Sequence, residues 1–191
     1  AALLDGERFL DVGTGTGDIA LSALKRAEVG MCVGADFTVE MMKIGRCADR
    51  SQRIHWVESD ALDLPFLDGS FDTVSSGFLI RNLDDIPSAL SEQYRVLRPG
   101  GRVVCLDTTR PPASWLRPLI DFHMHTVIPT LGSWIVGHRD AYAYLSSSTD
   151  NFLSAEDLAE KIRAAGFLEV GFQRIMFRTA VSYTHLPLPT S

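Results

Sequence analysis

The segment 9–18, with the sequence FLDVGTGTGD, constrains the fold of this chain more than any other stretch. The apolar residues before its glycines indicate a short buried strand, and residues 19–24 begin an apolar helix. Between them, Gly13, Gly15 and Gly17 alternate with threonines. A tight strand-to-helix turn needs glycine where φ is positive or where a ligand approaches the backbone. The segment therefore predicts a strand–loop–helix unit whose helix start offers N–H donors to a ligand.

The residues around this loop restrict the class of ligand. A dinucleotide fingerprint requires a third glycine at the sixth position from Gly13, where this chain has Asp18. Asp11 and Asp18 surround the loop with carboxylates, which disfavour a pyrophosphate and favour a cation. S-adenosylmethionine is such a ligand, and the pattern D-x-G-x-G-x-G resembles the first motif of the class I methyltransferases that use it. A nucleotide-binding loop and a purely structural turn are the alternatives.

Length and charge limit the other possibilities. A chain of 191 residues fits one domain, and a net charge of −6 argues against electrostatic binding to nucleic acid or to an anionic membrane. The apolar region 115–136 is interrupted by charged residues and histidines and cannot span a bilayer. Cys32, Cys47 and Cys105 form no C-x-x-C pair and predict reduced thiols in a cytoplasmic protein rather than a metal site.

Two further acids follow predicted strands. Residues 31–35 indicate a strand that ends at Asp36, where a carboxylate can accept hydrogen bonds from ribose hydroxyls. A helix N-cap is the other interpretation of this region, with Thr38 the better cap. After the strand at 54–57, Asp60 is placed to accept a hydrogen bond from an adenine amino group, although a lone acid there is usually just solvated.

The rest of the first half alternates strands with helices. Helices are predicted at 38–50 and 84–96, and strands at 72–78 and 102–106, with Asp107 directly after the last strand. The second helix has acids in its first turn and arginines at its end, as the helix dipole favours, and a Pro-Gly-Gly run should stop it. This alternation predicts an α/β fold with a mostly parallel sheet covered on both faces.

From residue 108 to residue 151 the alternation breaks down. This stretch is rich in proline and contains Trp134 and Tyr142, which predicts an insertion that shapes a pocket for a large apolar substrate. A helical lid without a substrate role is the alternative. His123 and His125 are two residues apart and would face different sides of a helix, so they are not a metal pair. A capped helix at 154–165 and strands within 167–177 are expected to follow.

Six segments together resemble the ubiquinone/menaquinone biosynthesis C-methyltransferases over about residues 8–180. The Arg-Asn pair after the fourth strand, P-x-L-G and A-Y-x-Y-L are the most specific of them. The resemblance implies a Rossmann-like class I methyltransferase, with a mostly parallel seven-stranded sheet and an α-helical insertion after the fifth strand. It implies methylation of a ring carbon of a polyprenylated quinol, either a benzoquinol or a naphthoquinol, with S-adenosylmethionine as donor. The segments are DVGTGTGD at 11–18, LPF at 64–66 with SFD at 70–72, IRN at 80–82, YRVLRPGG at 94–101, PTLG at 129–132 and AYAYL at 141–145.

The resemblance also implies site residues. Gly77 stands where some family members have a cofactor-contacting serine. Arg81 would stabilise an oxyanion of the quinol, or would form a structural salt bridge, and Tyr142, His123 or Asp107 would accept a proton. Peripheral membrane contact would give access to the lipid substrate. The expected cofactor-binding residues are Asp11, Gly13, Gly15, Thr16, Gly17, Asp36, Asp60, Ala61 and Gly77.

Other functions are disfavoured by particular residues. A nucleic-acid amino-methyltransferase would carry an Asn/Asp-Pro-Pro-aromatic run after the fourth strand, where this chain has GFLI at 77–80. Asp18 disfavours an NAD oxidoreductase. A methyltransferase acting on another small apolar molecule, and a cofactor-binding module without activity, remain as alternatives.

Both ends of the chain depart from the family pattern. The front helical segment of the family, which closes over the cofactor, is missing, so weak cofactor binding and slow turnover are expected. Residues 182–191 contain two prolines and no periodicity, and look like sequence joined on from elsewhere. We therefore expect a methyltransferase domain over residues 1–180 and a loose tail after it, whose deletion would change stability little.

Overall fold

The computed structural model describes residues 3–50, 52–108, 153–175 and 180–186. The predicted insertion, with Tyr142 and His123, lies outside these residues. The elements in chain order are β1 (Arg8–Val12), α1 (Asp18–Arg26), β2 (Met31–Asp36), α2 (Val39–Ala48), β3 (Ile54–Glu58), β4 (Phe71–Gly77), a 3-10 turn (Ile80–Asn82), α3 (Ile86–Val96), β5 (Leu97–Thr108), α4 (Ala155–Ala164), β6 (Glu169–Ile175) and β7 (Ala180–Leu186).

The strands form one seven-stranded sheet in the order β3-β2-β1-β4-β5-β7-β6. Strands β1 to β5 pair in parallel, and β7 pairs antiparallel with both β5 and β6. The prediction of a mostly parallel sheet is thus confirmed. Because the strand order reverses between β1 and β4, a crevice is expected at the carboxyl ends of these two strands, where open α/β sheets bind ligands.

Apolar side chains cover both faces of the sheet, as predicted. One buried cluster places Ala20 and Ala23 of α1 against Phe9 and Cys32. The larger cluster packs α3 and α4 against the other face, and its helix residues include Leu90, Val96, Leu158 and Ile162.

The structure corrects the prediction of a loose tail after residue 180. Residues 182–186 belong to β7, which lies inside the sheet between β5 and β6. Val181 and Tyr183 are buried, and the Tyr183 hydroxyl donates to the carbonyl of Ala155 at 3.1 Å. Here the apolar alternation is too short to stand out before the prolines, and the strand is defined by its two neighbours. Residues 187–191 lie outside the described part of the chain.

Three element ends differ from the prediction. Helix α3 begins at Ile86 rather than at residue 84, because the Asp85 side chain caps it by accepting from the N–H of Ser88 at 3.1 Å. Thr38 precedes α2 but makes no side-chain cap. The Pro-Gly-Gly run at 99–101 lies within β5, where the register against β4 shifts.

Gln93 on α3 is a buried polar residue without a hydrogen-bond partner for either amide atom within the described residues. A buried unsatisfied amide costs free energy that an apolar side chain of similar size does not. We expect Gln93→Met to raise the free energy of unfolding by about 1–2 kcal/mol. Urea denaturation measures the change, and Gln93→Glu is the contrast, since a buried unpaired charge should lower stability. A Gln93→Met variant less stable than wild type would contradict the prediction.

Candidate active site

The glycine loop after β1 is held against the end of β2 by backbone hydrogen bonds. The N–H groups of Gly13 and Thr14 both donate to the carbonyl of Ala35, at 2.8 and 3.1 Å. The N–H of Gly15 donates to Asp36 Oδ2 at 2.7 Å. Gly15 has φ 56°, in the left-handed region that a residue with a side chain rarely adopts. The loop and the acid at the end of β2 therefore form one unit.

The N-terminus of α1 is only partly satisfied within the described residues. Gly17, with φ 81°, occupies the N-cap position and provides no side-chain cap, while the N–H of Ala20 in the first turn donates to the Asp11 carboxylate. The other N–H groups of this turn suit a carboxylate or another anion. A Cβ at Gly17 would overlap the ring of Trp56, so packing beneath the loop also requires glycine here. The Thr16 hydroxyl donates to Asp18 Oδ2 at 2.9 Å and closes the outer side of the loop.

Asp11 lies behind the loop and is only 1% exposed. Its Oδ2 accepts from the Thr14 hydroxyl at 2.8 Å and its Oδ1 accepts from the Ser75 hydroxyl at 2.5 Å. Burial raises the pKa of Asp11 to about 6, against the lowering effect of the hydrogen bonds from Ser75 and Thr14. The carboxyl group thus joins the loop to β4.

Asp36 and Asp60 lie at the carboxyl edge of the sheet, and each carboxylate can accept further hydrogen bonds. Each Asp36 oxygen accepts one backbone hydrogen bond, since Oδ1 takes the N–H of Thr38 at 2.7 Å in addition to the bond from the loop. Asp60 is exposed, and its Oδ1 accepts from the N–H of Leu62 at 2.9 Å, while Ala61 beside it is buried. An ionised carboxylate accepts about four hydrogen bonds, so both acids are able to take a ligand's donors.

The turn after β4 has an unusual backbone. A Cβ added at Gly77 would overlap the side chain of Ile19. Phe78 follows with φ 56°, and the residue is 41% exposed. The N–H of Phe78 donates to the carbonyl of Leu106 at 2.7 Å, and Asn82 Nδ2 donates to the Phe78 carbonyl at 2.9 Å. Left-handed backbone at a bulky residue is strained, and such strain concentrates at functional sites.

Arg81 and Asp107 form a buried ion pair at the same edge, with side chains 6% and 0% exposed. Asp107 Oδ2 accepts from the Arg81 N–H at 3.1 Å, and Arg81 Nε lies 3.8 Å from Oδ1. Burial raises the pKa of Asp107 to about 6, opposed by the hydrogen bonds from the backbone of Arg81 and Thr108. The salt bridge considered for Arg81 is therefore present, and it places the guanidinium near the loop-bearing edge.

The predicted site residues in the described part of the chain all lie at or just behind the carboxyl ends of the parallel strands. A groove of about 540 Å³ lies elsewhere, at the start of β5 and the end of α3. Its arginines, Arg95 and Arg98, are paired with Asp68 and Asp72. The groove contains neither the glycine loop nor the acids Asp36 and Asp60. The carboxyl edge of the sheet is therefore the candidate active site.

Three contributors to this edge were missed from the sequence: Thr14, Ser75 and Phe78. Thr14 and Ser75 become significant only because both donate to Asp11, and Ser75 is 64 residues away along the chain. Nothing in the sequence indicates the left-handed backbone of Phe78.

The described residues contain no group of three or more His, Cys, Asp or Glu side chains arranged to hold a metal ion. None of the helices built from these residues is long and apolar enough to cross a membrane.

Asp36 offers a direct test of the predicted cofactor site. We expect Asp36→Ala to weaken S-adenosylmethionine binding by about 1.5–3 kcal/mol, the typical loss when a hydrogen bond to a charged group is removed. Titration calorimetry measures the affinity, and Glu160→Ala on the exposed side of α4 is the matched control, with no expected change. Unchanged affinity in Asp36→Ala would remove this residue from the site.

The sheet order, the glycine loop and the acids at the strand ends define a Rossmann-like methyltransferase of class I. Solved structures share this fold, including a SAM-dependent methyltransferase from Aquifex aeolicus (TM-score 0.69, 16% identity, 97% of this chain and 85% of that chain). The [4+2]-cyclase SpnF is also similar (TM-score 0.68, 26% identity, 93% and 57%), so the fold alone does not fix the reaction.

The similarity in sequence is more specific than the similarity in fold. The chain belongs to the ubiE/COQ5 methyltransferase family, whose model matches residues 1–186. The matched range includes β7. The ubiquinone/menaquinone biosynthesis C-methyltransferase UbiE of Desulfotalea psychrophila is 45% identical over 172 residues, or 90% of this chain and 70% of that protein. The demethylmenaquinone methyltransferase of Thermus thermophilus is 42% identical over 176 residues, or 91% and 80%. The family confirms the resemblance predicted from the motifs.

Proposed function

We propose that this protein transfers the methyl group of S-adenosylmethionine to a ring carbon of a polyprenylated quinol. The observation that carries the proposal is the convergence of an acid-lined glycine loop and a buried arginine at one edge of the sheet. The names of the relatives support a quinol of the ubiquinone or menaquinone type as substrate. Peripheral contact with the membrane would give access to such a lipid.

The residues present fit the cofactor. Its methionine carboxylate suits the first-turn N–H groups of α1 that the N-cap residue leaves uncapped, and its sulfonium and ammonium suit the surrounding carboxylates. Asp36 would accept from the ribose hydroxyls. Asp60 would accept from the adenine amino group, with the backbone of Ala61 beside it. Gly77 contributes no side chain, so any contact there is made by backbone.

When bound, S-adenosylmethionine supplies a methyl group on a sulfonium, which is an activated leaving group. The ring carbon of the quinol becomes nucleophilic once its neighbouring hydroxyl has lost a proton, and Arg81 would stabilise the resulting oxyanion electrostatically. Tyr142 and His123 are candidates for the base that takes the hydroxyl proton, directly or through water. The ring carbon would then accept the methyl group of the bound cofactor, with the thioether as leaving group, and the proton on that carbon would pass to water. Correct alignment alone supplies up to about 7–11 kcal/mol of the barrier.

The test is a methylation assay with two classes of acceptor. Purified protein is incubated with S-adenosylmethionine and either a demethylmenaquinol or a benzoquinol precursor, and the products are identified by mass spectrometry. The expected result is one added methyl group on a ring carbon of at least one class. Cofactor binding without product from either class would favour a different apolar acceptor or a binding module without activity.

The insertion is expected to serve the quinol rather than the cofactor. Tyr142→Ala and Trp134→Ala should therefore lower quinol turnover while S-adenosylmethionine affinity stays close to wild type, because an aromatic lining contributes apolar contact to a large ring. Steady-state kinetics and calorimetry on the same preparations separate the two effects. Equal losses of turnover and cofactor affinity in a folded variant would contradict the division into two pockets.

A further inference from the structure

The Arg81–Asp107 pair belongs to a cluster with Thr108 and Phe78 at the carboxyl edge of the sheet. Besides its contacts to Asp107, Arg81 donates from Nη1 to the Thr108 hydroxyl at 2.7 Å. The centre of the guanidinium lies 5.3 Å from the centroid of the Phe78 ring, within the range of a cation–π contact. The guanidinium is thus held from the side of β5 and from the turn after β4.

The contacts of Asp107 argue against a role as the base. A base must come within hydrogen-bond reach of the proton that it removes. Asp107 is fully buried, and its two oxygens accept from the backbone N–H groups of Arg81 and Thr108, at 3.1 and 2.8 Å. Its position instead suits a group that acts through its neighbour.

We infer that Asp107 is a positioning residue, which holds the Arg81 guanidinium in the orientation that meets the oxyanion of the substrate. The inference rests on the proposed function for the identity of the oxyanion. Two geometric observations support it. The carboxylate accepts from the backbone N–H of Arg81 and lies 3.8 Å from its Nε, which is ion-pair rather than hydrogen-bond distance, and the strained Phe78 backbone brings a ring to the guanidinium. Strain of this kind persists only where the surroundings enforce it.

A double-mutant cycle on turnover tests the inference. Arg81→Met should lower kcat by about 10²–10³-fold, the usual effect of losing an oxyanion donor. Asp107→Asn should lower kcat by roughly 10²-fold, because a small displacement of a catalytic group has that effect, and the KM for S-adenosylmethionine should stay near wild type. If Asp107 acts only through Arg81, the double variant should be no slower than Arg81→Met alone. Additive losses, or an Asp107→Asn variant with wild-type kcat, would overturn the inference.

A matched control separates positioning from a general loss of stability. Asp49 is also a buried aspartate that accepts a backbone N–H, from Ile54 at 3.2 Å, and it lies at the opposite edge of the sheet. Asp49→Asn should leave kcat unchanged. Urea denaturation of every variant shows that the compared proteins are folded under assay conditions.

An independent measurement does not require activity. The Nε–H of Arg81 is buried beside Asp107 and should give a slowly exchanging NMR signal near pH 7, assigned by its absence in Arg81→Met. Asp107→Asn should broaden or shift this signal, whereas Asp49→Asn should not. If wild-type protein methylates no quinol, the proposed function fails, and this signal still decides the positioning role: an unchanged signal in Asp107→Asn overturns it.

The pH profile gives a third readout. Burial raises the pKa of Asp107 to about 6, so the carboxylate that pairs with Arg81 should be lost as pH falls through this value, and kcat should fall with it. Cys105 and Tyr183 also lie near Asp107, but burial raises their pKa values further above pH 6, so neither group titrates there. Burial raises the pKa of Asp11, behind the glycine loop, to about 6 as well, so this group contributes to the acid limb in both proteins. Asp107→Asn should therefore flatten the acid limb to the part due to Asp11. An identical limb in the variant would contradict a role for Asp107.

Discussion

Deletion of residues 182–191 should abolish the cooperative folding of this protein. The deletion removes most of β7, whose backbone pairs with β5 from Thr184 to Ala180 and with β6 from Leu186 to Ala180. It also removes Tyr183, which is 1% exposed. Loss of a buried aromatic side chain alone costs about 3–5 kcal/mol, and β5 and β6 would in addition lose their pairing. Globular domains are stable by only about 5–15 kcal/mol in total.

Circular dichroism and urea denaturation measure the result, and two shorter changes act as controls. Deletion of residues 187–191 leaves all the paired residues of β7 in place and should leave the unfolding midpoint near wild type. Tyr183→Phe removes only the hydroxyl bond to Ala155 and should cost about 0.5–1.5 kcal/mol. If the long deletion unfolds cooperatively at the wild-type urea concentration, residues 182–186 contribute nothing to the sheet, and the prediction of a loose tail was right.

The first two strands were predictable because each is a short apolar run that ends on glycine or an acid, and the third because apolar and polar residues alternate along it. The same feature predicted where the acids would meet. Parallel strands present their carboxyl ends at one edge, so Asp36 and Asp60 were expected at the same edge as the glycine loop. The structure bonds Asp36 to the N–H of Gly15 in the loop, and Asp60 follows β3 at this edge. Here local sequence and sheet geometry were sufficient.

Contacts between distant parts of the chain were not predictable in this way. Ser75 reaches Asp11 from β4, and the ring that requires glycine at position 17 is Trp56 on β3. Neither partner is marked by local periodicity, because the hydrogen bond and the packing arise only when the strands align. The sequence therefore predicted a ligand-binding role for the glycines but gave no sign that Gly17 also makes room for a tryptophan.

Strand β7 shows the same limit for a whole element. Its apolar alternation covers only Val181 and Tyr183 before the prolines begin, which is too short to distinguish a strand from an extended tail. Its position is set by β5 and β6, which provide hydrogen-bonding edges on both sides. Tertiary pairing, rather than local propensity, decides the conformation of such a segment.

Arg102→Met should destabilise the protein by about 3–5 kcal/mol, the usual cost of leaving one partner of a buried ion pair uncompensated. Glu7 immediately precedes β1, and Arg102 extends from β5 to bind it with two hydrogen bonds, Nη1 to Oε1 at 2.8 Å and Nη2 to Oε2 at 2.5 Å. The Glu7 side chain is 7% exposed and also accepts from the Thr73 hydroxyl at 3.2 Å. Without the arginine, a carboxylate stays buried with only weak donors around it.

The double variant Glu7→Leu/Arg102→Met is the matched control. It removes both charges and fills the space with apolar groups, so most of the lost stability should return. Urea denaturation at pH 7 compares the single and double variants. A double variant as unstable as Arg102→Met would show that packing of the arginine stem, rather than the unpaired carboxylate, determines the loss.

The pH dependence of the two proteins should have opposite signs. Burial raises the pKa of Glu7, but hydrogen bonds from Arg102 and the backbone of Leu4 hold it below the ordinary value of 4.5. In wild type, this stabilisation is present above pH 4.5 and is lost as pH falls through the lower folded-state pKa. In Arg102→Met, burial dominates and the pKa of Glu7 should rise above 4.5, so the folded state takes up a proton that the unfolded state does not. The stability deficit of the variant should therefore shrink between pH 7 and pH 5, and a deficit of equal size at both values would show that Glu7 is not the group left uncompensated.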